Sequence, residues 1–309
     1  FIYPKKIMTV MNGRMNGKKS YVKPEELIVN ELIKALEDGV PVWRKEWTVK
    51  GGFRNLLTGK TYQGSNPALL CISSAVRGWH LPLFIGGGQA KSIGCLPKKG
   101  SKSARIMQPL QRSFELKEKD ENGEAKYGSY MSYKCVPVFN VADVRGMDEQ
   151  SEKKLQELID KAVLTSAPRP LDERVKQAHD RLFQWEHQVK GVVKGGDRAY
   201  YRPTTDEIVI PKRYNFKNDE SYLATFAHEC IHSTMKRLDR KDLTYAQEEL
   251  VAELGAYLIC SRLEISNLDT KNHAAYLEAW CPMLKSDPKI LFKSLANASK
   301  AADMVIGEQ

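Results

Sequence analysis

The stretch Ala227-His228-Glu229-Cys230-Ile231-His232 decides how this chain is read. At helical pitch a residue and its fourth successor lie about 40° apart around the axis and one turn along, so His228 and His232 project from one face. Two imidazoles so placed make a metal clamp. Glu229 sits about 100° further round, close enough to an open coordination position to act as a base without being a ligand. Five letters alone also fit a plain helix with two surface histidines, so the surroundings decide. Leu223, Phe226, Ala227, Cys230 and Ile231 supply an apolar stripe that predicts a helix over 221–235, with Asn218 or Asp219 capping its start.

Further along, Thr244-Tyr245-Ala246-Gln247 has the form of a capping box and opens a second helix that runs past Tyr257. That helix is apolar almost all round apart from its carboxylates, and burying acids unpaired is costly, so something cationic must face them. A catalytic zinc takes three protein ligands plus water, and two neutral imidazoles with one carboxylate is such a set. Zn2+, or another divalent ion such as Mn2+, is therefore the expected cofactor. The pair of helices resembles the gluzincin metallopeptidases, whose third ligand is the first Glu of a Glu-x-x-Ala-[acid]-x-x-Ala helix; Glu249, Ala252, Glu253 and Ala256 fit that spacing. The resemblance implies Glu249 as third ligand and Glu253, one turn on, as a carboxylate orienting a histidine. The reverse order, with Glu253 as ligand, is the alternative. Glu248 falls on another face and reads as a solvent or capping charge.

Charge is distributed unevenly. Residues 1–150 hold 24 Lys and Arg against 14 Asp and Glu, while the remainder balances at 24 of each, so the whole excess of +10 belongs to the first half. Such an excess suits a polyanion, whose phosphates it neutralises with release of counterions, although solubility alone could account for it. No run of 18 apolar residues is present, which excludes a membrane-spanning helix. The start lacks an apolar core of signal length and a small-residue cleavage site, so no export is read from it and a cytoplasmic setting is expected. Six scattered cysteines with no CxxC pair read as reduced thiols.

Residues 5–23 are expected as a mobile basic arm. Pro24 opens a helix carrying Leu27, Ile28, Leu32, Ile33 and Leu36 and ending at Gly39. Aromatics then interleave with polar and cationic groups: Trp43, Arg44, Lys45, Trp47, Arg54, Asn55, Lys60, Tyr62 and Asn66, followed by the basic turn at Lys98 and Lys99. Rings that stack on exposed bases and cations that follow the backbone are what single-stranded nucleic acid asks for; Trp43 or Trp47 taken singly could equally be core. Residues 104–110 and 130–140 alternate as paired strands, with 115–128 as a connecting excursion. Residues 198–202 and 206–211 form a hairpin just ahead of the clamp helix, and an edge strand there could pair with an extended peptide. Residues 272–306 are expected to be helical.

The order Trp43-x-x-x-Trp47, Asn55-x-x-Thr58-Gly59-x-x-Tyr62-x-Gly64-x-Asn66, Gln89-Ala90, Lys99-Gly100 and Val138-Phe139-Asn140-Val141 resembles the amino-terminal domain of the ArdC-type antirestriction proteins. Val42 and Glu46, where that family usually has prolines, are departures. The resemblance implies an α+β protein of two domains: a small basic α/β domain over 22–145 that binds single-stranded DNA, a connector over 146–170, and a mostly helical gluzincin-like, zincin-type metallopeptidase domain with a short sheet over 171–309. The implied role is protection of incoming mobile-element DNA from restriction endonucleases, with a restriction subunit or other DNA-bound protein as substrate. The competing reading is a non-catalytic protein that coats the strand or occupies the endonuclease, its metal purely structural.

Overall fold

Pro24 supplies the fixed φ of a first helical turn, and α1 (Pro24–Glu37) follows from it, burying Ile28, Leu32, Ile33 and Leu36 before Gly39 turns the chain with φ 70°. The computed structural model describes residues 23–40, 42, 52–119, 125–165, 169–266 and 273–307. Most of the expected basic arm and the segment with Trp43, Arg44, Lys45 and Trp47 lie outside them. Next come β1 (Arg54–Asn55), α2 (Asn66–Arg77), β2 (Leu83–Gly86), α3 (Gly87–Ser92), β3 (Cys95–Pro97), β4 (Ala104–Lys119), β5 (Ala125–Asn140) and β6 (Val144–Gly146).

The principal sheet has the order β1-β2-β5-β4, with β1 parallel to β2 and the other pairs antiparallel. β4 and β5 run well past it. Within the expected excursion over 115–128, residues 115–119 and 125–128 instead continue the two strands, Glu115 lying opposite Tyr127 and Lys119 opposite Ala125, with an irregular register between. Charged residues and a glycine gave that stretch the composition of a loop, but ladder pairing of the backbone carries it outward as a ribbon. The segment read as a connector forms α4 (Glu149–Leu164), started by the Asp148 side chain accepting from the Ser151 N–H at 2.8 Å. It packs through Leu155 onto a small core with Leu83, Ile85, Cys95 and Val144, beside the β3–β6 pair.

In the second half, α5 (Leu171–Phe183) and a 3-10 turn bury Trp185, whose indole N–H donates to Ser233 Oγ at 2.8 Å. A three-stranded sheet follows, β7 (Gly191–Lys194), β8 (Tyr200–Arg202) and β9 (Glu207–Ile210), in the order β7-β9-β8. The expected hairpin is β8–β9; β7, parallel to β9, is an addition from a valine pair too short to show a period. Then come α6 (Asp219–Ser233), α7 (Tyr245–Leu263), α8 (His273–Ser286) and α9 (Lys289–Ile306). One apolar cluster joins the halves: Leu32, Leu36 and Ile72 of α1 and α2 belong with Tyr257, Trp280 and Leu295. Across that seam burial pushes the Tyr257 hydroxyl's pKa up, and Cys71 of α2 adds to the rise. All six cysteines are free thiols. Among the described residues no helix is long and apolar enough to cross a membrane.

Candidate metal centre

Asn218 starts α6 by accepting from the Ser221 N–H at 2.8 Å, which fixes the helical phase that puts His228 and His232 on one side. Tyr222, Leu223, Phe226, Cys230 and Ile231 are buried on the others. α7 opens with the expected capping box, Thr244 Oγ1 accepting from the Gln247 N–H and Gln247 Oε1 from the Thr244 N–H. Gly255 brings the two helices together. A Cβ there would come within 2.7 Å of Ile231 Cδ1, so glycine is what permits the approach.

Across that seam the two imidazole Nε2 atoms lie 3.1 Å apart, and the Glu249 carboxylate reaches them at 3.6 Å (His228) and 3.7 Å (His232). Two ligands about 2.1 Å from a tetrahedral ion would stand about 3.4 Å apart, so this donor set already has the spacing of a coordination shell. One donor atom from each of the three residues lies within 4.8 Å of the others. The outer ring nitrogens are held as well: His228 Nδ1 faces Glu253 Oε1 at 3.8 Å, and His232 Nδ1 faces Glu248 Oε1 at 3.5 Å. A carboxylate on Nδ1 sets the tautomer that leaves Nε2 free to ligate.

Glu248 therefore is not a solvent charge, as its helical angle suggested. Its residue is buried, and it pairs with the equally buried Arg240, whose Nη2 and Nε donate at 2.6 and 3.0 Å. Arg240 also donates to Thr234 Oγ1 at 2.7 Å and to the Ile231 carbonyl at 3.0 Å. The sequence reading missed both. Its error was geometric: the histidines turn their Nδ1 atoms to opposite sides, so the carboxylates that orient them must flank Glu249, one residue before and four after.

Electrostatics follow from this crowd of acids. Burial alone would lower the His232 pKa, but the Glu248 and Glu249 carboxylates, as acceptors for its ring N–H groups, hold it up at about 10, and His228 is likewise raised despite its burial. Burial would raise Glu249, yet the two imidazoles pull it far below the carboxylate range. Glu229 is raised by burial, against the pull of the histidines and, more weakly, of the Tyr201 backbone in β8, and among the described residues its Oε2 is buried without a hydrogen-bond partner. With neutral imidazoles, four carboxylates face one guanidinium, a deficit that a dication fits in both charge and donor type. The Tyr245 hydroxyl, unnoticed in the sequence, is pushed up to about 12 by burial and by Glu249, although its side chain is mostly open to solvent.

The residues expected to contact DNA are placed differently. Asn55 closes its own turn, accepting from the Leu57 and Thr58 N–H groups and donating to Gln89 Oε1 at 2.8 Å. Asn66 caps the free edge of β4, donating to the Met107 carbonyl at 3.1 Å and accepting from its N–H at 2.8 Å. Tyr62 packs edge-on against Phe84, and Lys98 Nζ donates to the Ala142 carbonyl at 2.8 Å. Arg54 lies half-buried in β1, and Lys60 and Lys99 are at the surface.

Two histidines on one helix, a glutamate on the next, and a short mixed sheet ahead of them define a zincin-like metallopeptidase domain, and residues 178–297 match the family of that description. Residues 23–139 match the N-terminal domain of the anti-restriction factor ArdC. Together these two matches give the chain the domain order of the ArdC-type antirestriction proteins. It is similar to crystal structures of the antirestriction ArdC protein from the R388 plasmid, metal-free (28% identity, TM-score 0.60) and Mn(II)-bound (27%, 0.61), each comparison covering 92% of this chain and 97% of that one. It is also 30% identical, over 94% of its own length, to a DNA primase TraC of Escherichia coli, of which it spans only 20%.

Proposed function

We propose that the chain grips single-stranded DNA with residues 22–145 and, with residues 171–309, cleaves a protein met on that DNA, shielding incoming strands from restriction endonucleases. The observation that carries the catalytic part is the convergence of His228 Nε2, His232 Nε2 and Glu249 beside a buried, unpartnered Glu229 oxygen. These three residues would hold a zinc or manganese ion, which when bound supplies Lewis acidity toward a peptide carbonyl and water. Glu253 and Glu248 keep the imidazoles in the ligating tautomer. Glu229 Oε2 takes the proton from the attacking water and returns it to the leaving amine, its pKa raised by burial toward the range such a shuttle needs. β8 is an edge strand packed beside α6, and its Tyr201 backbone lowers the Glu229 pKa, so a substrate strand paired along β8 would lie near the base.

Burial of Glu248, Glu249 and Glu253 between core helices favours a second reading, in which the ion only ties α6 to α7. Glu229→Gln separates them. On the catalytic reading it keeps the metal content of the purified protein and abolishes both cleavage and DNA protection. Protection that survives in this variant, with the metal intact, leaves the structural reading standing.

A further inference from the structure

Outward from Val138, among the described residues, β4 and β5 pair only with each other. A two-stranded ribbon is marginal alone in water, yet this one displays large side chains on both faces. On one face Tyr127, Met131 and Tyr133 stand 69%, 57% and 62% exposed among serines and a glutamine, with no cation between rungs 109 and 113. The opposite face is chemically different. There the Phe114 ring lies over Gly128, where a Cβ would come within 2.7 Å of it, and its centroid is 6.0 Å from the Tyr130 ring. Arg112 is directly opposite Tyr130 across the ladder, and Lys134 is opposite Gln108 further in.

Residues 104–114 and 127–140 contain Arg105, Arg112 and Lys134 and no acid at all, whereas residues 115–126 carry five acids against three lysines. The charge thus favours a polyanion along the inner ribbon. Tyr130 to Lys134 spans about 14 Å, room for about four stacked nucleotides at about 3.4 Å each. Flat rings that accept any base, with cations on the same face for the phosphates, are the elements of a single-strand platform.

We infer that the Phe114–Arg112–Tyr130–Lys134 face of the β4–β5 ribbon is the surface on which single-stranded DNA stacks. The inference rests on the proposed single-strand binding and gives it a location. Fluorescence anisotropy of the full chain with a labelled oligo(dT) tests it. Tyr130→Ala weakens binding about 5- to 150-fold, the range for one stacked base. Arg112→Ala with Lys134→Ala flattens the salt dependence by about 0.7 log unit per log unit for each phosphate that is no longer neutralised. Tyr127→Ser with Tyr133→Ser, on the opposite face, changes affinity less than about twofold, below the effect of losing one stacked base. Should Tyr130→Ala misfold by circular dichroism, Tyr130→Leu keeps the apolar bulk without the ring and carries the same expectation. Wild-type binding undiminished in the Tyr130 and cation variants overturns the platform while leaving single-strand binding intact; so does loss confined to the Tyr127 and Tyr133 variant, or ribbon variants that abolish self-association in sedimentation without touching DNA affinity. Failure of the wild type to bind oligo(dT) removes both.

Discussion

Truncating Glu248 to alanine isolates the carboxylate that the helical angle misplaced. Among the described residues Glu248 is the sole acid on Arg240, a residue only 4% exposed, and the substitution leaves that guanidinium with one hydroxyl and one carbonyl as acceptors. Removing one partner of a buried pair costs about 3–5 kcal/mol, most of it the stranded charge. In a chain of this size about 2 °C of melting temperature follows each kcal/mol, so the metal-free protein should melt roughly 6–10 °C lower. The same change releases His232 Nδ1, and loss of such an orienting carboxylate costs about 10–100-fold in metal affinity. Combining Glu248→Ala with Arg240→Met removes both charges; it should recover much of the stability, since apolar replacement of a buried pair is often neutral, but none of the metal affinity. Circular dichroism melts in a chelator and Mn2+ titration by calorimetry read the two effects separately. A single variant melting within about 1 °C of wild type, far below the cost of a stranded charge, or a double variant no more stable than the single, would refute the reasoning.

Three further outcomes follow from the structure. Because His232 is held at about 10 in the metal-free protein and a ligating imidazole must be neutral, metal binding at pH 8 should release about one proton, and affinity should climb with pH toward that value. Calorimetry in buffers of different ionisation enthalpy measures the proton, and none released at pH 8 would contradict the pairing. By the same sign, this histidine stabilises the metal-free fold fully below about pH 6.5, its unfolded value, and loses that contribution as pH rises through about 10. Asn66→Ala frees both backbone groups of Met107 on the β4 edge and should cost about 1–3 kcal/mol, read as a lower urea midpoint at unchanged m-value.

The clamp and its capping box were legible because both are local: a four-residue spacing and a Thr-to-Gln interval fix geometry within one helix. Glu248 was illegible because its role depends on where a histidine on another helix turns its second nitrogen. Asn66 shows a related limit, since a polar side chain that satisfies a distant backbone group reads in sequence like one offered to a ligand, and Asn55 does the same for its own turn and Gln89. The strand pairing at 115–119 and 125–128 escaped because a sequence rich in lysine and glutamate gives no alternation of apolar and polar, the signal by which strands are recognised. The two-domain reading captured the order of the domains but not their packing, for nothing in the first 80 residues announces that Leu32 or Ile72 will share a core with Tyr257 and Trp280.

That shared interior has a mechanical consequence. Severing the chain near residue 146 would strip apolar faces from α1, α2, α7 and α8 together, so neither fragment should stay soluble when expressed by itself. Heating should melt the metal-bearing helices and the basic half in a single calorimetric peak. An event at either end, a strand gripped or an ion captured, would then be felt as altered rigidity at the other without any hinge between them.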